Sequence, residues 1–336
     1  IFDARARSLI KDSASKKALS YYDTTEKLGQ WAHSHEKAKI DFVRLWVKKR
    51  GVRFTEARSS VRIPWCELQG NHAELIIHQT LQMGYVYPGS PTVNHFGIGT
   101  RHWMKMTRKK GKWIICQDFY TDGLGDDSLV PEPKPADGQP PQGQPPVHTS
   151  PQRVTKSYDR DGAVSYADKY AGLAWGAGNN HQYNLQYGDL SARGGNCANY
   201  VSQCLSDKNG GNLPLDGGWF YSHDQNGFSG SQAWVRAQNL CDWLLYSGRG
   251  KLVARGTFPE LNNPSKNHPS GAVRKLRKGD VIGYGTKDCI EHVAIIVGWD
   301  FRGYPLVNSH SVDRYHCPWD MGYDKTTVFD LIQVVN

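Results

Sequence analysis

The side chain most suited to covalent chemistry in this sequence is the thiol of Cys197. It follows Gly194, Gly195 and Asn196 and opens a segment with apolar residues at helical spacing, GGNCANYVSQCL (194–205). The glycines predict a tight turn, and Asn196 is a residue type that caps helices. The first position of a helix is the positive end of its dipole, which favours a thiolate and lowers the thiol pKa. We therefore expect a nucleophilic thiol at Cys197.

A histidine able to activate this thiol follows later in the chain. His292 begins the apolar run HVAIIVG (292–298), which predicts a buried strand. A thiol nucleophile needs a base within hydrogen-bond reach, and a cysteine followed by a strand-borne histidine is the papain-type order. A capped cysteine alone is more often structural, but with His292 it indicates a cysteine-dependent amide hydrolase.

A third polar residue should hold the imidazole in position. The next predicted strand, PLVNSH (305–310), carries Asn308 and His310 on one face by alternation. If this strand pairs with the strand of His292, either side chain could touch the ring. Asn308 is favoured because its carbonyl oxygen can accept from the imidazole N–H. His310 is the alternative, and Asp313 is a more distant one.

The oxyanion of a tetrahedral intermediate needs hydrogen-bond donors placed in advance. The backbone N–H of Cys197 is one candidate, and the hydroxyls of Tyr183 and Tyr187 are candidates for a second, although packing is the commoner role of a tyrosine. Trp219 lies in a glycine-rich loop, where it could line a substrate cleft or pack against the sheet. Both readings stay open.

The length of 336 residues predicts two domains. Residues 131–157 are rich in Pro, Gly and Gln, and they predict a semi-rigid linker that cannot join a core. We therefore expect an accessory domain at 1–130 and a hydrolase domain at 158–336.

In the accessory domain, the pattern predicts helix over 18–50 and four strands, at Arg53–Val61, Ala73–Tyr87, Phe96–Thr107 and Trp113–Tyr120. Gly111 suits a hairpin turn before the last strand. Helix followed by a meander ending in KKGKWIICQDFY resembles the nuclear transport factor 2-like cone. That resemblance implies a noncatalytic accessory domain.

In the hydrolase domain, helical patterns come first and strands follow. This order predicts an α+β fold in which the helix of Cys197 packs on a small antiparallel sheet. The predicted helices are 158–170, the segment starting at Cys197, and 232–246; the predicted strands are Val281–Tyr284, His292–Trp299, Tyr304–Ser309 and Val328–Val335.

The net charge of +9 is concentrated in the first domain, where residues 1–130 carry 21 Lys and Arg against 13 Asp and Glu. A solvated face is the simplest reading. The other is attraction to an anionic cell-wall polymer. The signature motifs of common nucleic-acid-binding modules are absent, so no specific nucleic acid is expected. No apolar run approaches the roughly 18 residues of a membrane helix, and we expect a secreted or cell-envelope protein.

Seven cysteines are present. With Cys197 set aside as a free thiol, six could pair in an exported protein, and Cys66 with Cys116 is the first expectation because both fall on predicted strands of one domain. The sequence has neither a CxxC pair nor an HExxH motif, so we expect no metal and no cofactor.

Several ordered strings resemble the putative amidase domain of Gram-positive bacteria, which is similar to the NlpC-type and CHAP cell-wall hydrolases of the papain-like superfamily. They are YDRDGAVSYADKYA (158–171), GGNCANYVSQCL, SQAW (231–234), RKGDVIGY (277–284), EHVAIIVG (291–298) and LVNSHSVD (306–313). The resemblance implies Cys197 as nucleophile, His292 as base and a polar residue of the NSHS strand as third member.

The chain departs from the family's Gly-Gly-Asp-Cys-Thr-Asn pattern at Asn196 and Ala198. The resemblance implies hydrolysis of peptide amides, plausibly of peptidoglycan, through a thioester. Two alternatives remain at this stage: a noncatalytic binding or scaffold module of the envelope, and an acyltransferase that uses the same residues.

Overall fold

The computed structural model describes residues 1–124, 158–180, 182–191, 195–224 and 227–335. The predicted linker, 131–157, lies outside the described residues. The chain divides into two compact units. The first comprises Ile1–Pro135, Leu173–Trp175 and Met321–Asp324, and the second comprises Ala136–Gly172, Gly176–Asp320 and Lys325–Asn336.

Three helices and four long strands build the first unit. The helices are α1 (Phe2–Ile10), α2 (Asp12–Leu19) and α3 (Lys27–Arg50), and the strands are β1 (Arg53–Gln69), β2 (His72–Val86), β3 (Asn94–Lys109) and β4 (Lys112–Phe119). Helix was predicted without a break over 18–50. The structure separates α2 from α3 at residues 20–26, where Asp23 accepts from the backbone and side chain of Thr25. Such a local side-chain turn competes with helix.

The four strands form an antiparallel meander in chain order. Lys110 and Gly111 both have positive φ, as a two-residue hairpin of the primed type requires. The prediction of a turn at Gly111 is confirmed. One face of the sheet carries Leu75, Ile77 and Met104, which pack with Tyr22 into a core. The opposite face leaves several apolar side chains exposed.

In the second unit, helices and strands alternate before the sheet is completed. The helices are α4 (Arg160–Lys169), α5 (Cys197–Ser206), α6 (Gln232–Val235), α7 (Ala237–Tyr246) and α8 (Phe258–Asn262). The strands are β5 (Tyr221–Asp224), β6 (Gly227–Gly230), β7 (Gly250–Gly256), β8 (Val281–Gly285), β9 (Ile290–Trp299), β10 (Pro305–Ser309), β11 (Asp313–Pro318) and β12 (Val328–Val334).

Six of these strands form one antiparallel sheet in the order β11-β10-β9-β8-β12-β7, while β5 and β6 pair as a hairpin. Helices α5 and α7 pack on β9. Their shared core contains Cys197, Leu240, Val293 and Ile295. The chain is therefore an α+β protein with a large antiparallel sheet, as the order of elements predicted.

All seven cysteines are free. The expected Cys66–Cys116 disulfide is wrong, because Cys66 lies on β1 opposite Leu75 and Cys116 lies on β4, with two strands between them. In the described ranges, no helix is long and apolar enough to cross a membrane. Nor do three or more His, Cys, Asp or Glu side chains of those ranges gather into a group that could hold a metal ion.

Candidate active site

The thiol of Cys197 lies at the first position of α5, as the sequence predicted. Gly195 has a φ of 127°, which a residue with a Cβ rarely adopts, and it turns the chain into the helix. The carbonyl of Asn196 accepts the first helical hydrogen bond, from the Tyr200 N–H at 3.0 Å. Cys197 itself is 8% exposed and packs in the core beneath β9.

Asn196 occupies the N-cap position, but its side chain makes no capping hydrogen bond to the helix backbone. Its Oδ1 instead accepts from the Leu190 N–H at 3.2 Å and from the Asn199 side chain at 2.7 Å. These two donors orient the amide so that Nδ2 faces the Nδ1 of His310 at 3.0 Å. Asn196, which was predicted to cap the helix, is thus a buried residue that links the start of α5 to the segment after β10.

His310 is held on both sides. Its Nε2 lies 2.7 Å from the carbonyl of Tyr170, so this nitrogen carries the proton. Its Nδ1 then accepts from Asn196, and the ring stacks on Tyr200 with centroids 3.9 Å apart. Beside it, Ser311 accepts from the backbone N–H of Asn196. The hydrogen bonds to Asn196 and Tyr170 therefore hold a neutral His310 imidazole beside the N-terminus of α5.

The expected lowering of the Cys197 pKa is wrong. Burial raises the pKa of the thiol, and this effect exceeds that of the backbone N–H groups of Val293, Ala198 and Cys197 itself, which favour the thiolate. The helix N-terminus does supply donors to the sulfur, but the surroundings are too apolar for a resting thiolate. Cys197 therefore rests as a neutral thiol.

His292 lies on β9 directly before Val293, whose N–H approaches the thiol of Cys197. Its ring packs against Tyr284 with centroids 5.6 Å apart. Burial, and then the charge of Arg314, lower the pKa of His292 to about 3. Within the described part of the chain, no hydrogen bond joins His292 to Cys197. The imidazole is neutral and its nitrogens are not engaged by another described side chain.

The structure does not bring Asn308 to His292, so the preferred third member is misplaced. Asn308 pairs with Ile295 across β10 and β9, and alternation puts a residue three positions from Ile295 on the opposite face. The amide of Asn308 donates to Asp168 at 2.8 Å and accepts from the His316 N–H at 2.7 Å. His316 also contacts Asp168 at 2.9 Å. Asn308 thus ties α4 to β10 and β11.

The two tyrosines chosen as oxyanion donors have other partners. The Tyr183 hydroxyl donates to both oxygens of Asp313, at 2.9 and 2.7 Å, and its ring lies 4.4 Å from that of His310. Tyr187 is buried, and its hydroxyl donates to Asp207 at 2.7 Å. Tyr183 therefore borders the His310 side of the site, whereas Tyr187 supports the core.

Trp219 has no exposed surface, which contradicts a role in lining an open cleft. Its indole N–H donates to Ser202 on α5 at 3.0 Å, and its ring stacks on Trp243 with centroids 4.2 Å apart. Of its two sequence readings, packing is the one that the structure supports.

Sequence reasoning missed the contact between Asn196 and His310 and the cluster around Asp168. The strings that contain them had been singled out, but only for the roles of nucleophile, base and orienting residue. No local pattern indicates that an asparagine at a helix N-cap will use its amide on a distant histidine, because that contact depends on how β10 ends beside α5.

An antiparallel sheet covered by a helix whose first residue is a buried cysteine, with a neutral histidine at the start of the adjoining strand, is a setting suited to acyl transfer. Residues 157–332 match the family model described as putative amidase domain. The match covers more than half of the chain, and the chain belongs to this family. Its general activity is therefore amide hydrolysis. No curated protein and no solved structure matches the chain.

Proposed function

We propose that the second unit is a cysteine-dependent amide hydrolase with Cys197 as the nucleophile. The observation that carries the proposal is the place of the thiol: it opens α5 and receives backbone N–H groups from Val293 and from the first turn of the helix. Donors around a reactive sulfur can also bind the oxyanion that forms beside it. A papain-like arrangement is the finer reading of this geometry.

Between the two nearby imidazoles, His292 is the better base. A general base needs an accessible lone pair, and both ring nitrogens of His310 are occupied by Asn196 and Tyr170. His292 is neutral because of its low pKa, and it precedes the residue whose N–H contacts the thiol. Val293 and Ile295 share the core with Cys197, and alternation directs the His292 ring to the other face of β9, so this mechanism requires the ring to reach the thiol around the start of the strand. Catalytic hydrogen bonds are often formed only when substrate is bound.

The reaction then proceeds in two steps. As the Sγ of Cys197 attacks the amide carbon, His292 takes the thiol proton, and backbone N–H groups at the start of α5 stabilise the oxyanion. The C–N bond breaks as His292 passes the proton to the leaving amine, which leaves a thioester. Water, deprotonated by His292, attacks the thioester, and the carboxylic acid leaves as the thiol re-forms.

For the substrate, we propose peptide amides of the bacterial cell wall, acted on by a secreted or envelope-bound enzyme. The support is the likeness of the site strings to NlpC-type and CHAP hydrolases. An acyltransferase would share the thioester and differ only in using an amine in place of water.

The proposal is tested by comparing Cys197→Ala with Cys204→Ala, a matched control because Cys204 is a fully buried thiol on the same helix. Both proteins are incubated with short peptide amides and with purified cell wall, and products are identified by mass. Loss of a nucleophile should lower turnover by about a thousandfold or more, with the control retaining activity. Equal turnover in Cys197→Ala and the control refutes the cysteine mechanism.

A further inference from the structure

A concave site lies in the first unit, mainly on the sheet face opposite its core, and extends to Ala73 and Met106 on the core side. It is a groove of about 410 Å³ between the start of α3 and the strands, a size within the range of small-molecule pockets, roughly 300–1,000 Å³. Nine of the thirteen residues that line it are polar or charged, and Glu67, Glu74, Lys105 and Gln117 are among them. None of them belongs to the proposed hydrolase site.

The amide of Gln117 supplies the clearest sign of a missing partner. Gln117 is 7% exposed, and its Nε2 is buried without a hydrogen-bond partner in the described residues. An unsatisfied buried donor costs about 1–3 kcal/mol. Because Gln117 lines the groove, a ligand with an acceptor atom there would remove that cost.

Carboxylate acceptors line the same groove on β1 and β2, and β3 with Lys105 lies between them and Gln117 on β4. Glu67 and Glu74 are direct cross-strand partners on β1 and β2, an arrangement that is unfavourable for like charges. Glu74 also accepts from the Trp103 indole N–H and lies 3.3 Å from the ammonium of Lys105. The groove therefore presents carboxylate oxygens beside amide and ammonium donors.

The charge of the lining does not suit an anion. Its ionised side chains are Glu26, Glu67 and Glu74 against Lys27 and Lys105, a small negative excess. The excess of basic residues in the first unit therefore lies outside this groove. A phosphate-rich polymer bound in this groove would contact the carboxylates of Glu67 and Glu74.

An apolar row, exposed at three of its four members, crosses the same sheet face next to the groove. It consists of four residues in register on the four strands: Trp65, Ile76, Trp103 and Phe119. Trp65 and Trp103 are 43% and 42% exposed. Large aromatic surfaces exposed together on a soluble protein mark binding sites. The bond from Trp103 to Glu74 holds the indole in place beside the polar lining.

We propose that this groove binds a neutral oligosaccharide. A sugar hydroxyl both donates and accepts, so one ligand can satisfy the Gln117 amide and the Glu67 and Glu74 carboxylates together. The apolar C–H face of a pyranose ring can pack on the exposed indole of Trp103. A second copy of this chain that covers the aromatic row is the alternative occupant, and the test below separates the two.

The test uses the full chain and a tetramer of β-1,4-linked N-acetylglucosamine, with binding measured by calorimetry. Gln117→Leu should weaken binding about fivefold, the value of one hydrogen bond, while its thermal midpoint stays equal or rises because an unpaired buried donor has been removed. Trp103→Ala should weaken binding about tenfold, as loss of a stacking platform does. Tyr246→Ala, at an 89% exposed aromatic of the second unit, is the control and should bind normally.

Three results would overturn the proposal: absence of binding, affinity unchanged in both groove variants, or binding restricted to polyglycerol phosphate and abolished by salt. Self-association that Trp103→Ala removes, measured by sedimentation without any saccharide binding, would assign the face to a second copy and overturn it as well. Cys197→Ala should bind the saccharide normally. Failure of this proposal therefore leaves the cysteine mechanism untouched, and the reverse also holds.

Discussion

The buried amide of Asn196 gives a sharp test of how the start of α5 is organised. Replacing it by alanine removes the acceptor of the Leu190 N–H and the donor to the Nδ1 of His310. The Asn199 side chain loses one partner but keeps its hydrogen bonds to the carbonyls of Tyr187 and Gly188, so we expect a smaller effect there. Two buried groups without partners should cost about 2–4 kcal/mol of unfolding free energy.

Asn196→Asp should behave differently, and its effect should depend on pH. The carboxylate keeps the acceptor functions, but it faces the lone pair of His310 Nδ1, whose other nitrogen already donates to Tyr170. A proton on Nδ1 resolves the conflict and raises the pKa of His310 in the folded variant. The added stability is complete below the unfolded pKa of about 6.5 and is lost as pH rises through the folded value, by about 1.4 kcal/mol per pH unit.

The assay is hydrogen exchange of the α5 amides, read by mass spectrometry between pH 5 and 8 and converted to opening free energies. Asn209→Asp is the control, since Asn209 is exposed and the added charge should change little. If Asn196→Ala costs under about 1 kcal/mol, or if Asn196→Asp tracks the wild type across this pH range, the hydrogen-bond assignment at α5 is refuted.

Four further predictions concern other charged and reactive groups. Because the pKa of His292 is about 3, this proposed base stays neutral under mild acid, and kcat/KM should not fall between about pH 7 and 5 through this residue; a fall in kcat/KM near pH 6.5 would contradict this. Iodoacetamide should label the exposed Cys66 before the buried Cys197, whose raised pKa delays reaction, as peptide mapping over time will show. Arg5→Met should cost about 3–5 kcal/mol in urea unfolding of the first unit, since it leaves buried carboxylates short of a partner. One of these, Glu36, has a pKa of about 2 because Arg5 and Lys39 together outweigh the effect of its burial, so stability should fall in the wild type as pH drops below about 4.3.

The elements of the fold were largely predictable because they follow local periodicity. The helix that begins at Cys197, the hairpin at Gly111 and the strand of His292 each carry their own signal in spacing or turn chemistry. The break before α3 was not predicted, because it depends on a side-chain turn at Asp23. The apolar spacing over residues 18–50 gives no sign of this break.

The site was less predictable, since its contacts depend on register and burial. Alternation alone allowed Asn308 to face His292, but the pairing of Asn308 with Ile295 places it on the other side of the sheet. The dipole argument for Cys197 was sound for an exposed helix start. It failed because the helix enters the sheet core, where desolvation has the larger effect.

The pKa shifts of Cys197 and His292 are consistent with each other and bear on mechanism. A raised thiol pKa and a lowered imidazole pKa favour the neutral pair of Cys197 and His292 over a thiolate–imidazolium pair. In the proposed mechanism, a neutral buried site avoids the cost of holding two charges away from water, and it leaves His292 able to accept a proton as attack begins. An aspartate, as in the pattern that the Cys197 string resembles, would add a carboxylate at the start of the same helix, whereas Asn196 keeps that position uncharged. The substitution is thus in keeping with a site that develops charge only when substrate is present.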